Sequence, residues 1–311
     1  MEYLYLLIGF LFLIIGGEFL VRSGIAFAKH FRISTLVVGV TIISFGTSVP
    51  ELVVSLQAAM QGHPEISVGN VIGSNISNIA LVLGLTAIML PIPVRQKSLK
   101  FDWPVMMLIS ILFYIFILNL ELSFYEGLVF VILLISFIFW SIFSSRKTKG
   151  SSDEEFQKPG MSILLSVVLI IFSSLGLVLG AHLLVKGAVQ IARGFGISEH
   201  AISVSIIAIG TSIPEITTSL IAALKKQTDI SIGNIIGSNI FNILGILGIT
   251  SIVKSIPVNK HVIQFDIYWL LGISLLLFLL LLPVKKGLLT RNKGLLLLVI
   301  YITYVYLVLI G

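Results

Sequence analysis

No cysteine occurs among the 311 residues, which excludes disulfides, thiolate metal sites and cysteine nucleophiles. Histidine is scarce too: the five are scattered and lie outside the motif blocks described below, an arrangement unlike a zinc or haem site. Charge is far scarcer than in a typical soluble protein. Asp, Glu, Lys and Arg make up 11% of the chain against 57% hydrophobic residues, and the mean hydropathy is +1.11. Such a chain has too little polar surface for water and reads as an integral membrane protein. The first apolar stretch follows Glu2 rather than a basic segment, so it is expected to stay as a helix and not to be removed as a signal peptide.

A bilayer core takes about 20 apolar residues per helix. Ten such stretches occur, near 3–28, 34–60, 66–91, 103–119, 125–144, 161–192, 198–224, 230–253, 266–283 and 294–310. The expected fold is therefore all-α, with five spans in residues 1–144, a polar linker at 145–160 and five more in 161–311. If the linker is cytoplasmic, 16 of the 20 Lys and Arg residues fall on the same side; only Lys186, Arg193, Lys254 and Lys260 do not. That split follows the positive-inside rule and puts both termini outside. The net charge of +6 is then a topology signal rather than a nucleic-acid-binding surface.

What is present in strength is an internal duplication. Residues 34–85 and 198–249 match at 26 of 52 positions at a constant offset of 164. The first copy reads Gly46-Thr47-Ser48-Val49-Pro50-Glu51 and the second Gly210-Thr211-Ser212-Ile213-Pro214-Glu215. A second block follows each: Gly69-Asn70-Val71-Ile72-Gly73-Ser74-Asn75-Ile76-Ser77-Asn78, and Gly233-Asn234-Ile235-Ile236-Gly237-Ser238-Asn239-Ile240-Phe241-Asn242. An odd number of spans per half means that the second copy enters the membrane from the opposite side, the inverted-repeat architecture of transporters.

A carboxylate at mid-membrane costs roughly 2.5 to 3.5 kcal/mol on insertion scales, so Glu51 and Glu215 read as functional. Pro50 and Pro214 lack an amide hydrogen and oppose the carbonyls of Gly46 and Gly210, so both helices are expected to break there. Irregular backbone survives in a membrane only inside protein or beside a polar cavity. Thr47 shares a helix face with Glu51, as do Thr211 with Glu215, Ser74 with Asn78 and Ser238 with Asn242. Carboxylates, hydroxyls, amide oxygens and freed carbonyls are hard ligands suited to Ca²⁺ and Na⁺ and less to Mg²⁺. Two carboxylates would neutralise one Ca²⁺ or two Na⁺, so the ions should compete for overlapping positions.

Several other residues carry quieter readings. Gly69 with Gly73, and Gly233 with Gly237, form small-residue faces that let helices approach closely. Asn70, Asn75, Asn234 and Asn239 are expected to cap broken helices or to bond between helices. Asp102 and Asp266 are expected to cap the starts of spans four and nine. Glu18, whose repeat counterpart is His182, is expected to serve packing or an aqueous crevice. Trp103, Trp140 and Trp269 are expected to anchor span ends at the membrane interface.

The paired blocks Gly-Thr-Ser-x-Pro-Glu and Gly-Asn-x-Ile-Gly-Ser-Asn-Ile-x-Asn, on a ten-span chain, resemble the α-repeats of the cation/Ca²⁺ exchanger superfamily, especially compact prokaryotic Na⁺/Ca²⁺ exchangers. The resemblance implies a Na⁺/Ca²⁺ antiporter in the cell membrane, working by alternating access and normally extruding Ca²⁺. Carried over by position, it implies ion ligation by Glu51, Glu215, Thr47, Thr211, Ser48, Ser212, Ser74, Ser238, Asn78 and Asn242, with the backbones of Ser44 and Ala208 assisting. It implies that segments 3–28 and 161–192 slide across a core made of spans two, three, seven and eight. Asn242 stands where several relatives carry aspartate, which weakens any expectation of K⁺ co-transport. No cofactor and no obligatory protein partner is expected beyond the transported Ca²⁺ and Na⁺ and the lipid bilayer. The same carboxylates could instead be protonated, which would make an H⁺/Ca²⁺ antiporter; a channel or a membrane scaffold is a further alternative. An intramembrane hydrolase fits poorly, because no histidine or lysine shares the helix faces of Ser48, Ser212 or the glutamates.

Overall fold

A computed structural model describes residues 1–148, 160–196, 208–282 and 287–310. Lipid cannot satisfy backbone polar groups, so apolar stretches of this length fold as helices. Among the described residues eleven carry the architecture: α1 (Glu2–Phe31), α2 (Thr35–Thr47), α3 (Val49–Met60), α4 (Glu65–Met89), α5 (Ser98–Asn119), α6 (Phe124–Thr148), α7 (Ile163–Gly194), α8 (Ile213–Leu224), α9 (Thr228–Val253), α10 (Val262–Leu280) and α11 (Arg291–Ile310). Among the described residues, eight are long and apolar enough to cross a membrane, or nine if the bent pair α2 and α3 is one span. The expected span at 198–224 falls partly outside the described residues; within them it consists of the turn Ala208–Gly210 and the twelve-residue α8. The expected linker begins as helix, since α6 runs on to Thr148.

Burial separates the helices into a centre and a rim. In the most apolar 18-residue windows, 83% of α4 and 89% of α9 is buried, against no more than 33% for α1, α5, α6, α7, α10 and α11. The two central helices are the ones that carry the second motif blocks. Between them and the rim lies a core that includes Ile76, Ile79, Phe113, Phe130, Ile240 and Leu244.

Small residues set the close crossings, as expected where lipid supplies no hydrophobic drive between helices. A Cβ on Gly233 would lie 2.7 Å from the Leu36 carbonyl oxygen, and one on Gly237 would meet the Val40 backbone, so α9 presses directly on α2. Gly69 and Gly73 behave differently, with no described atom within 4 Å of a Cβ at either. At the rim, α1 and α7 pack along their lengths through Gly9 and Gly180, where added Cβ atoms would fall 2.8 Å and 2.9 Å from the opposing glycine carbonyl oxygens.

Short features recur at the offset of 164. Residues Asn78–Val82 and Asn242–Leu247 are π-helical turns inside α4 and α9, and Ser98–Asp102 and Val262–Asp266 are π turns that begin α5 and α10. Strand β1 (Ile92–Pro93) pairs antiparallel with β4 (Leu288–Leu289), and β2 (Glu121–Leu122) with β3 (Ile256–Pro257), so each ribbon joins the two halves.

The π turns overturn the capping expectation for the aspartates. They start α5 and α10 several residues earlier than the apolar pattern suggests, so Asp102 and Asp266 sit inside the helices and cap nothing with their side chains. Asp266 instead accepts from the Tyr304 hydroxyl at 3.1 Å. Trp103 has a tertiary role: its Nε1 donates to the Ser274 carbonyl at 2.8 Å and its ring stacks on Phe278, tying α5 to α10. Glu18 pairs with Lys225 at 2.7 Å and with Arg22, linking α1 to the end of α8.

Candidate ion-binding site

The two Gly-Thr-Ser-x-Pro-Glu blocks make the same local structure. Helix α2 ends at Ser48 (φ −89°, ψ 8°) and α3 resumes at Val49 with Pro50 in its first turn, bent 45° from α2. In the second half Ser212 (φ −83°, ψ −2°) holds the corresponding position before Ile213 and Pro214. Pro50 and Pro214 remove the amides that would have bonded Gly46 and Gly210, which is why the breaks fall there. Each glutamate therefore stands in the first turn of a helix that starts inside the protein, where the helix dipole favours negative charge.

Both carboxylates are buried, Glu51 at 1% exposure and Glu215 at 0%, and each lies within the electrostatic field of the other. Glu215 Oε1 accepts from Ser48 Oγ at 3.1 Å and from Ser238 Oγ at 3.5 Å, so one carboxylate gathers hydroxyls from both halves. Thr47 Oγ1 donates to Asn234 Oδ1 at 3.1 Å and lies 3.5 Å from Ser238 Oγ. Helix α8, bearing Glu215, runs against the π turn that begins with Asn78, and α3, bearing Glu51, runs against the one that begins with Asn242.

Four of the six asparagines of α4 and α9 form a crossed set. Asn78 Nδ2 donates to Asn239 Oδ1 at 3.2 Å, and Asn242 Nδ2 donates to Asn75 Oδ1 at 3.0 Å. Asn70 Nδ2 donates to Ser55 Oγ at 3.0 Å and Asn234 Nδ2 to Ser219 Oγ at 3.1 Å, again the same bond at an offset of 164. Asn70, Asn75, Asn234 and Asn239 thus bond between helices and cap none. Ser55 and Ser219 were not among the expected site residues. The signal for them was present in the sequence, since both copies place a serine fifteen residues before the asparagine of the second block.

Buried oxygens without partners mark what this arrangement can bind. Among the described residues fourteen buried side-chain polar atoms lack a hydrogen-bond partner, and five belong to expected site residues: Glu51 Oε2, Glu215 Oε2, Asn78 Oδ1, Asn242 Oδ1 and Ser212 Oγ. An unpaired buried acceptor costs about 1 to 3 kcal/mol and more when charged, so acceptors gathered around two carboxylates suit a cation. No cluster of three or more acidic, histidine or cysteine side chains able to hold a metal occurs among the described residues. The donor set is two carboxylates plus neutral oxygens, which fits a hard cation. Among the described residues, no hydrogen bond joins Ser74, Thr211 or Ser44 to either carboxylate. Ser74 is buried and Thr211 half-buried, while the Ser44 carbonyl accepts from the Ser48 amide at 3.0 Å and lies 3.2 Å from Thr47 Oγ1. Ala208 begins the turn before Gly210, and its side chain lies outside the described residues.

Comparison with known proteins identifies the family. The family described as sodium/calcium exchanger protein matches residues 1–143 and 165–310. A putative antiporter, CaxA, of Alkalimonas amylolytica is 36% identical over 98% of this chain and 97% of its own. The sodium/calcium exchanger MaX1 of Methanosarcina acetivorans is 28% identical over 89% and 90%. The solved sodium-calcium exchanger NCX_Mj, soaked with Na⁺ and no Ca²⁺, superposes with a TM-score of 0.84 at 35% identity, covering 98% of each chain. With the family matched across both halves, the chain is a multi-pass membrane protein that belongs to the sodium/calcium exchanger family.

Proposed function

We propose that the protein is a secondary antiporter that exchanges Na⁺ for Ca²⁺ by alternating access and normally expels Ca²⁺. The observation that carries this reading is the buried pair Glu51 and Glu215, each at a proline-broken helix and each with an unpartnered Oε2. Two carboxylates balance one Ca²⁺ or two Na⁺, so loading one ion displaces the other and exchange follows from charge balance in a medium that tolerates little net charge. In this reading Glu51 and Glu215 hold Ca²⁺ centrally. Thr47, Thr211, Ser48, Ser212, Ser74, Ser238, Asn78 and Asn242, with the carbonyls of Ser44 and Ala208, complete the Ca²⁺ and Na⁺ positions.

The architecture proposed for it is ten spans in two inverted five-helix repeats, residues 1–144 and 161–311, joined by a cytoplasmic linker at 145–160 with both termini outside. Support comes from the bonds that recur at an offset of 164, from the ribbons β1–β4 and β2–β3 that exchange partners between halves, and from the 16-to-4 partition of basic residues. The glycine-lined pair α1 and α7 is the part that would slide against the buried α4 and α9.

Radioactive Ca²⁺ uptake into Na⁺-loaded proteoliposomes, with Na⁺ or choline outside at equal pH and without K⁺, tests this. Uptake only under the outward Na⁺ gradient is expected. Uptake driven by a pH gradient without Na⁺ would replace Na⁺ by H⁺ as the coupling ion, and conductance without any counter-ion would refute exchange.

A further inference from the structure

The carbonyl oxygen of Asn239 can only accept, and Asn75 Nδ2 donates to it at 3.2 Å. That bond fixes which way the Asn75 amide faces: its Oδ1 must point the other way, where it meets Asn242 Nδ2 at 3.0 Å. If Asn242 rotated its amide, its oxygen would face the Asn75 oxygen, two acceptors in contact. Asn242 is therefore held with its nitrogen toward Asn75 and its own Oδ1, buried and unpartnered, turned away from it. The other arm repeats the device: Asn239 Nδ2 lies 3.5 Å from Met106 Sδ, leaving Asn239 Oδ1 to accept from Asn78 Nδ2 at 3.2 Å and Asn78 Oδ1 unpartnered.

We infer that Asn75 and Asn239 are positioning residues that set the amide orientation of Asn242 and Asn78, so that both present an oxygen rather than an N–H to the cation. The inference rests on the proposed ion site and deepens it. An asparagine ligand is ambiguous, because a half-turn of its amide replaces an acceptor by a donor that repels a cation. A carboxylate has no such ambiguity but adds charge. The crossed asparagines supply two further oxygens while the acidic count stays at two, the number that matches one Ca²⁺. The anchor of one arm is a backbone carbonyl, which no side-chain rotation removes, and that of the other is a thioether, a weak acceptor. Asn242 is accordingly the more firmly oriented of the two.

The test is Ca²⁺ titration of the purified full-length protein in detergent, for wild type, Asn75→Leu, Asn242→Asp and the double variant. Leucine fills the space but cannot accept, so Asn75→Leu should weaken Ca²⁺ binding by about tenfold or more. An aspartate at 242 offers an oxygen in either rotation, so in that background Asn75→Leu should cost less than about threefold. Equal loss in both backgrounds, or none in wild type, would overturn the inference, because a purely structural asparagine cannot be rescued by an acid at 242. Should Asn75→Leu not fold, the second arm decides: Asn239→Asp keeps an acceptor for Asn78, whereas Asn239→Leu does not. Retention in the first and loss in the second is expected, and equal loss overturns the inference. A wild type that binds no Ca²⁺ would overturn the ion site itself and this inference with it, a result distinct from wild-type binding that Asn75→Leu leaves intact.

Discussion

Replacing Glu215 by glutamine removes one of two buried charges while keeping size and one oxygen. Glu215 is at 0% exposure, accepts from Ser48 and Ser238 and keeps Oε2 unpartnered, so no solvent screens the change. Removing one partner of a buried charge pair costs about 3 to 5 kcal/mol, or roughly a hundredfold or more in Ca²⁺ affinity. Ligand linkage turns that into a stability readout. At a Ca²⁺ concentration one hundred times the wild-type Kd, binding stabilises the folded protein by about 2.7 kcal/mol; a hundredfold weaker variant at the same concentration retains only about 0.4 kcal/mol. Without Ca²⁺ the variant should be no less stable than wild type, since it buries one charge fewer. The assay is a thermal melt of purified protein with and without Ca²⁺, beside proteoliposome uptake. A Glu215→Gln protein that keeps the wild-type Ca²⁺-dependent shift and uptake would refute the site, whereas one that melts early in both conditions would show glutamate acting in structure.

Three further outcomes follow from particular contacts. Pro50→Ala returns an amide to the Gly46 carbonyl and should straighten the 45° break at Ser48, so Ca²⁺ uptake should fall while the protein remains folded by circular dichroism. Gly237→Ala forces a Cβ into the Val40 backbone and should destabilise the α2–α9 crossing by about 1 to 3 kcal/mol, whereas Gly272→Ala, with no described atom within 4 Å, should leave the melting temperature unchanged. Glu18→Gln breaks the partly exposed pair with Lys225 and should cost less than about 1 kcal/mol, with the difference vanishing in high salt.

What could be read from the chain beforehand depended on whether its cause was local. Pro50 and Pro214 carry their own reason for a break, and Glu51 and Glu215 their own cost of burial, so the bent helices and the acidic pair were legible. Pairing at an offset of 164 exposed the asparagines as a group. The π turns at Ser98–Asp102 and Val262–Asp266 were not legible, because an extra residue in a helical turn is imposed by packing and carries no composition of its own; hence the misplaced caps at Asp102 and Asp266. The contact of Trp103 was hidden for a related reason: its partner is a carbonyl 171 residues away. The amide orientation of Asn242 was hidden too, since it is settled by a carbonyl on the same helix acting through Asn75 on another.

A duplicated sequence need not give a symmetric site, and the departures from symmetry are informative. The scaffold bonds of Asn70 and Asn234, and of Asn78 and Asn242, come in matched pairs. The bond from Ser48 to Glu215 does not: its counterpart would run from Ser212 to Glu51, yet Ser212 Oγ and Glu51 Oε2 are both unpartnered. If inverted repeats exchange conformations during transport, the opposite-facing state should make the Ser212–Glu51 bond and release Ser48. Each serine then stabilises one state by about 1 kcal/mol, roughly a fivefold shift in population. Ser48→Ala should favour the opposite-facing state and Ser212→Ala the one described here. The absence of native cysteine lets spin labels be placed cleanly at Phe31 on α1 and Gln61 after α3, both exposed, and the ratio of their distance populations reads the shift. Shifts in opposite directions are expected. Shifts in the same direction would separate the serines from the access equilibrium and leave them as ligands alone.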